Sequence, residues 1–394
     1  MSGALAGLRV IEMGSLIAGP FCGQLMGDMG ADVIKVEPPG EGDPMRQWGQ
    51  GEKPAWWRVI GRNKRSVALD LRQKAGQDIA RRLIGKADIL IENFRPGTLE
   101  KWGLSPEALH RDNPGLIIVR VSGYGQDGPY ADRAGFGLVG EAMGGWRYLV
   151  GEPDRPPSRM GVSIGDTLAA TYGCLGALAA LHHRAKTGKG QVVDSALYEA
   201  VLQVTESLLA DYGASGFMRE RSGSILPRIA PSNAYPCKDG DIVIGANQDK
   251  VFSRFAEAIG KPEWAEDPKY KTHHARGDRQ KELDALISEW TRRHTVKEVD
   301  AIMSDAGVPA GPIYRPNQMI SDPQFLARDA IHWEEHPVFG RIPMQNVFPK
   351  MSETPGKVRL PAPDKVGQHT EEVLGAVLGM SSAEILELRK ASVI

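Results

Sequence analysis

Five short apolar runs recur through the first third of the chain: Leu8 to Glu12, Val33 to Glu37, Val67 to Leu71, Ile89 to Glu92 and Leu116 to Val121. They are rich in β-branched residues, too short for helices and too continuously apolar for half-exposed strands. Each therefore reads as a strand buried on both faces. Between them, Phe21 to Met29, Gln73 to Gly85 and Ser105 to Arg111 carry helical periodicity, and Ser105-Pro106 supplies an N-cap and a proline at the first helical position. Strands and helices alternating at this spacing predict a doubly wound, Rossmann-like α/β sheet.

After the fifth run, Gly123, Gly125 and Gly128 satisfy the spacing of a dinucleotide-binding turn. That motif has to open a helix whose N-terminus holds the pyrophosphate, and here Pro129 and a polar run follow instead. These glycines read as a loop that approaches something closely.

The next stretch, Gly161-Val-Ser-Ile-Gly-Asp166, is a glycine-marked turn before a long helix predicted to begin at Thr167. Ala169, Gly173 and Ala177 give that helix a face almost without side chains, which another element can approach closely. Asp166 is the only acidic or basic side chain between Arg159 and His182. It reads either as the N-cap or as a carboxylate nucleophile on a rigid support, and the local pattern does not choose.

Further along, Gln191 to Ser195 reads as a strand, Leu197 to Tyr212 as a helix and Arg221 to Ser232 as a linker. A hairpin signal at Tyr235 to Ile244 turns at Lys238-Asp239-Gly240 and opens a second unit. Helices at Lys250–Ile259, Lys281–Arg292 and Thr295–Ser304 follow, the last with a Thr295/Glu298 capping box, and Gly307 to Pro312 reads as a linker back. The tail holds two helices, the second opened by Ser381/Glu384. The expected domains are a large α/β domain over 1–220, completed by 326–394, and a small α+β domain over 221–312 with a return linker at 313–325.

Charge excludes some partners. The 48 basic residues against 49 acidic ones leave no electrostatic reason to expect nucleic acid or an anionic membrane surface. The three cysteines, Cys22, Cys174 and Cys237, form no CxxC and read as reduced thiols. Arg9 and Glu12 interrupt the only early apolar run, and no run is read as a membrane span, so a cytoplasmic protein is expected. His182-His183 and His273-His274 lack ligand spacing, and no metal site is expected. Trp56-Trp57 beside Arg58, Arg62, Lys64 and Arg65 reads either as adenine stacking with phosphate pairing or as a contact between domains or protomers. Asn93-Phe-Arg-Pro-Gly97 follows a strand at its carboxyl end, where open α/β sheets bind ligands.

Eight motifs then occur in order: Ala18-Gly-Pro20, Gly30 to Glu37, Gly42-Asp43, Asn63-Lys-Arg-Ser66, Glu92 to Gly97, Ser122-Gly-Tyr-Gly125, Gly161 to Asp166 and Thr187-Gly-Lys-Gly-Gln191. With them the chain resembles the class III CoA-transferases, of formyl-CoA and carnitine CoA-transferase type, over nearly its whole length. Gly140 to Gly145, Gly151 to Pro157 and Ile229 to Asn233 resemble the branch that moves CoA from succinyl-CoA to small dicarboxylic acids. The resemblance implies that Asp166 is the nucleophile and that the co-substrate is a CoA thioester, with no permanently bound cofactor. It implies that Leu16 and Ile17 line the pantetheine path and that Leu69, Asp70, Leu71 and Arg72 flank the adenosine. Asn93, Phe94 and Arg95 would border the adenine, Lys101 would face phosphate, and Phe136 would sit by the thiol end.

The family fold implied is an interlocked homodimer. Formyl-CoA transferase has glutamine, arginine and glutamate where this chain has Ile17, Pro38 and Gly137, which turns the expectation away from formyl or oxalyl substrates. The acceptor is expected among itaconate, glutarate, citramalate, malate and mesaconate. For its far carboxylate the first choice is Arg46, beside Trp48, and the second is Arg159. An α-methylacyl-CoA racemase of the same superfamily is a second reading, but its histidine base falls where this chain has Phe136 in Ala134-Gly-Phe-Gly137. A non-catalytic CoA-binding protein is the third.

Overall fold

A computed structural model describes residues 3–50 and 54–394. Six strands, β1 (Arg9–Glu12), β2 (Asp32–Glu37), β3 (Lys64–Ala68), β4 (Ile89–Glu92), β5 (Ile117–Ser122) and β6 (Val192–Ala196), form one sheet in the order β3-β2-β1-β4-β5-β6. Every neighbouring pair is parallel. Alternate side chains along each strand feed two cores. Ile11, Ile34, Leu90 and Ile118 meet Ile79 and Leu83 of the helix Lys74–Ile84 on one face. Val10, Val33, Ile89, Ile91 and Val119 meet Cys22 and Met26 of the helix Ala18–Asp28 on the other. The α/β expectation holds for this reason: each run is apolar on both sides because helices cover both sides.

The chain divides into two compact units. One comprises Met1–Arg147, Met160–Asp211 and Pro323–Ile394, and the other Tyr148–Arg159 and Tyr212–Asp322. In the first, the helices Thr370–Leu378 and Ser382–Lys390 complete one core with Val373, Leu374 and Ile385, and Val393 O accepts the Asp70 N–H at 2.8 Å. The expected Ser381/Glu384 capping box is present. The second unit holds an antiparallel sheet of β7 (Ser232–Pro236), β8 (Asp241–Gly245) and β9 (Ala310–Pro312). It packs Tyr235, Ile242 and Ile244 against Phe252, Leu283 and Val299 of three helices, the last opened by the Thr295/Glu298 box.

Four local expectations are corrected. Strand β3 starts at Lys64 and ends at Ala68, before the run Leu69 to Leu71, because Lys64 is buried by pairing with Glu12 at 2.7 Å. The helix expected over Leu197 to Tyr212 breaks into Leu197–Leu202 and Leu208–Ser215, with Glu206 left-handed at φ 56° between them. The segment read as a linker at Gly307 to Pro312 carries β9. The tail also holds an unforeseen hairpin, β10 (Ile331–His336) with β11 (Gly340–Gln345).

The long helix runs over Ile164–Thr187, three residues earlier than expected. By length and composition it is apolar enough to cross a membrane, contrary to the sequence reading. Its small-residue face is nevertheless packed on the sheet. Ala169 and Ala177 are fully buried, and a Cβ added at Gly173 would stand 3.0 Å from Val119 Cγ1.

Candidate active site

In an open parallel sheet, ligands bind outside the carboxyl ends of the strands, where the strand order reverses. Here it reverses between β1 and β4. The turns that follow these two strands are joined there: Ser15 N donates to Asn93 Oδ1 at 2.8 Å, and Asn93 Nδ2 donates to Ser15 O at 3.0 Å. Beside this junction lies a cavity of about 140 Å³ lined by Ser15, Leu16, Ile17, Ala18, Asn93, Val121, Ser122, Gly123, Gly135, Phe136, Asp166 and Leu197.

Asp166 is the one ionisable group in that lining, and only 9% of it is exposed. Because the helix begins at Ile164 with Ser163 as its N-cap, Asp166 lies inside the first turn, which corrects the reading of it as the cap. A carboxylate there keeps the favourable helix N-terminal field without having to serve as the cap. Its carboxylate rests on bare backbone: a Cβ added at Gly137 would stand 2.0 Å from Asp166 Oδ2. The glycine loop does approach something closely, since a Cβ on Gly123 would come within 2.6 Å of Gly135 Cα. Phe136 is thus held between two close glycine contacts, and its ring faces Trp48 with centroids 6.4 Å apart.

A second, larger cavity of about 450 Å³ shares Ser15 with the first. Leu69, Asp70, Leu71, Arg72 and Phe94 line it, together with Lys35, Glu37, Asp43 and Trp102. Glu92 accepts the Phe94 N–H at 2.7 Å, and Phe94 packs edge-on to Trp102 at 5.1 Å. Arg72 holds Asp70 through a 2.8 Å ion pair, and its bond keeps the Asp70 carboxyl at about 2. The small cavity suits an acyl thioester and the larger one an elongated ligand. Ser15, Val121, Ser122, Gly135, Leu197 and Trp102 were not among the expected lining residues, because they carry no charge, and Ser122 and Gly135 were read only as parts of the glycine-containing stretches.

The expected site residues do not all gather. Leu16, Ile17, Asn93, Phe136 and Asp166 share the small cavity, and Leu69 to Arg72 share the larger one with Phe94. Arg95 and Lys101 are exposed and line neither. Arg159 belongs to the second unit. Arg46 also lines neither, and its guanidinium is already engaged. Nε and Nη2 each reach Glu37 at 2.8 Å, Nη1 donates to Pro363 O at 3.0 Å, and the group stacks on Trp57 at 4.1 Å. Its expected place at a substrate carboxylate is therefore withdrawn.

The basic run beside Trp56-Trp57 is committed in the same way. Arg58 pairs with Glu334 and Asp364, Arg62 with Asp28, Lys64 with Glu12 and Arg65 with Asp32, while Trp57 donates to Pro363 O at 2.8 Å. Arg58 and Trp57 tie this segment to the tail, and the other three cations are held by carboxylates of the first helix and of strands β1 and β2, so the phosphate-binding reading is withdrawn as well. Among the described residues no group of three His, Cys, Asp or Glu side chains is placed to hold a metal ion.

Comparison with known proteins fits this geometry. A model of CoA-transferase family III matches residues 5–370. A succinyl-CoA–D-citramalate CoA-transferase of Chloroflexus aurantiacus is 53% identical over 391 residues, covering 98% of this chain and 97% of that enzyme. Human succinyl-CoA:glutarate CoA-transferase is 32% identical over 393 residues, covering 99% and 90%. The crystal structure of a CAIB/BAIF family protein from Brucella suis superposes with a TM-score of 0.86 at 36% identity, covering 96% of this chain and all of that one.

Proposed function

The chain belongs to CoA-transferase family III and moves CoA between acids, and from that membership we propose that Asp166 carries CoA from succinyl-CoA to a small dicarboxylic acid. The observation that carries the proposal is that Asp166, itself buried, is the one carboxylate lining the cavity beside the switch point of the sheet. The relatives, named for citramalate and glutarate, support the choice of acceptor class.

The chemistry follows from the residue type. The Asp166 carboxylate attacks the donor thioester carbonyl and expels CoA thiolate, leaving a mixed anhydride. The thiolate attacks the aspartyl carbonyl of that anhydride, which frees the donor acid and leaves an aspartyl-CoA thioester. The acceptor carboxylate attacks this thioester and expels the thiolate again. The thiolate then attacks the acceptor carbonyl of the second anhydride, releasing the acceptor's CoA thioester and regenerating Asp166. One thioester is exchanged for another, so no ATP is consumed. Water has to be kept from both anhydrides, and the close packing of Gly123 on Gly135 suits a tight enclosure.

The racemase reading lacks its base at Phe136. We further propose the interlocked homodimer of the family, and Leu175, 58% exposed on the long helix, supports it as an apolar side chain in need of cover.

The test is isotope exchange between succinyl-CoA and labelled succinate, followed by an acceptor panel headed by citramalate. Asp166→Ala and Asp166→Asn should each lower exchange by at least about a thousandfold and leave CoA affinity within a few-fold, since the amide is a far weaker nucleophile. Hydroxylamine added with succinyl-CoA should label Asp166. Near-normal exchange in either variant, or labelling elsewhere, would overturn the mechanism.

A further inference from the structure

One residue in the wall of the Asp166 cavity has a backbone conformation that its side chain disfavours. Leu16 is left-handed, at φ 63°. A branched, non-glycine residue holds that conformation only where its surroundings over-determine it, and such strain collects at functional sites.

The surroundings here are specific. The Leu16 N–H donates to Asp43 Oδ1 at 3.0 Å, and Met45 N donates to the same oxygen at 2.9 Å. Asp43 Oδ2 pairs with Lys35 Nζ at 2.7 Å, and Lys35 also donates to Gly14 O, two residues before Leu16. On the other side Asn93 holds Ser15 through the two bonds described above. The Asn93 amide has no spare room: a Cβ on Gly14 would stand 2.3 Å from its Oδ1, and one on Gly19 2.9 Å.

Asp43 is held in turn. Its own N–H donates to Glu37 Oε2 at 2.9 Å, the same oxygen that Arg46 Nε reaches. A chain of bonds thus runs from Arg46 through Glu37 and Asp43 to Leu16. Lys35, Glu37 and Asp43 are each no more than 2% exposed, so water does not compete for these bonds.

The geometry points to Asp43 and Asn93 as positioning residues that clamp the turn after β1, with Leu16 held left-handed, so that the wall beside Asp166 has one shape. Arg46 supports that clamp at one remove. The inference rests on the CoA-transferase reading only for what the wall serves; the clamp itself is a statement about residue 16.

A double-mutant cycle isolates it, because glycine adopts φ 63° without strain. With leucine at 16, Asp43→Ala should lower the rate of succinyl-CoA exchange at saturating substrate by about 10–100-fold, the size of effect that losing a strained backbone geometry brings. In the Leu16→Gly background the same substitution should cost less than about threefold. Asn93→Ala, which strands no buried charge, should show the same dependence and keeps the test available if Asp43→Ala does not fold. Affinity for a non-cleavable CoA thioether is measured beside exchange in every variant. Wild-type protein without exchange, but with this coupling intact in the thioether affinities, would count against the proposed reaction and not against the clamp. Equal losses with leucine and with glycine at 16 would overturn the clamp.

Discussion

At the scale of single residues, the decisive position beside Asp166 is one with no side chain. Gly137 leaves the space in which Asp166 Oδ2 lies, and a methyl group there would overlap it at 2.0 Å. Gly137→Ala should therefore push the carboxylate out of its resting position and lower kcat by about 10–100-fold, the scale expected when a reacting group is displaced by about an ångström. CoA affinity should stay within a few-fold, and steady-state kinetics with thioether binding separate the two. Unchanged kcat would show that Asp166 reacts from another rotamer. The sequence did not announce this contact, because no local pattern says what a glycine lies against. The proposal of Asp166 as nucleophile rests on the ordered motifs; its immediate neighbours alone pointed first to a cap. Arg46 misled for a related reason. An arginine in a glycine loop looks available until the buried glutamate that holds it, Glu37, is seen across the turn.

At the scale of elements, what hydropathy measures was legible and what charge pairing decides was not. Strands β1, β2, β4 and β5 lie within a residue of their expected limits, since helices cover both faces and little but apolar side chains fits. Strand β3 slipped because Lys64 and Arg65 look exposed in sequence, whereas Glu12 and Asp32 neutralise them in the fold. The hairpin β10–β11 was hidden by its polar, largely uncovered residues.

The same buried charges make an acid-sensitivity prediction for β2. Burial presses the Glu37 carboxyl upward, but the Arg46 bond and charge, with Lys35 and Ser66, bring it below the ordinary 4.5. Burial likewise opposes the Asp43 carboxylate, and Lys35 together with the Met45 and Leu16 N–H groups more than offsets it. Carboxyls lowered on folding contribute stability that is complete above their unfolded values and is lost as pH falls through the folded ones. At fixed protein concentration, Tm should be flat above about pH 5 and fall below about pH 4. Arg46→Met removes the main cation of a fully buried carboxylate, a loss of about 3–5 kcal/mol for such pairs. Its acid limb should begin at higher pH, because Glu37 is then no longer lowered. Coincident acid limbs in calorimetric scans would show that the pair does not set acid stability.

At the scale of the whole molecule, a second unit was signalled in the sequence by the hairpin pattern near Tyr235 and the glycine and proline stretches around it. Tyr148–Arg159 was not, since nothing in its composition marks it as leaving the first unit for the second. The proposed interlocked homodimer is tested at this scale as well. If each chain is threaded through its partner, the protomers cannot part without unfolding, so no folded monomer exists at any dilution. Sedimentation should then show only dimer down to nanomolar protein, and the denaturation midpoint should rise with protein concentration. The long helix gives the matching variant. Its buried face is filled by Ala169, Gly173 and Ala177 against the sheet, while Leu175 is 58% exposed and Thr171 and Ala179 are exposed around it. Leu175→Glu puts a charge on that outer face. In a monomer it would be a surface change worth less than about 0.5 kcal/mol. In the dimer it buries an unpaired carboxylate and should abolish accumulation of folded, exchange-competent protein. A Leu175→Glu protein that is folded, active and monomeric would show that neither the interlock nor a second protomer is needed to complete the site.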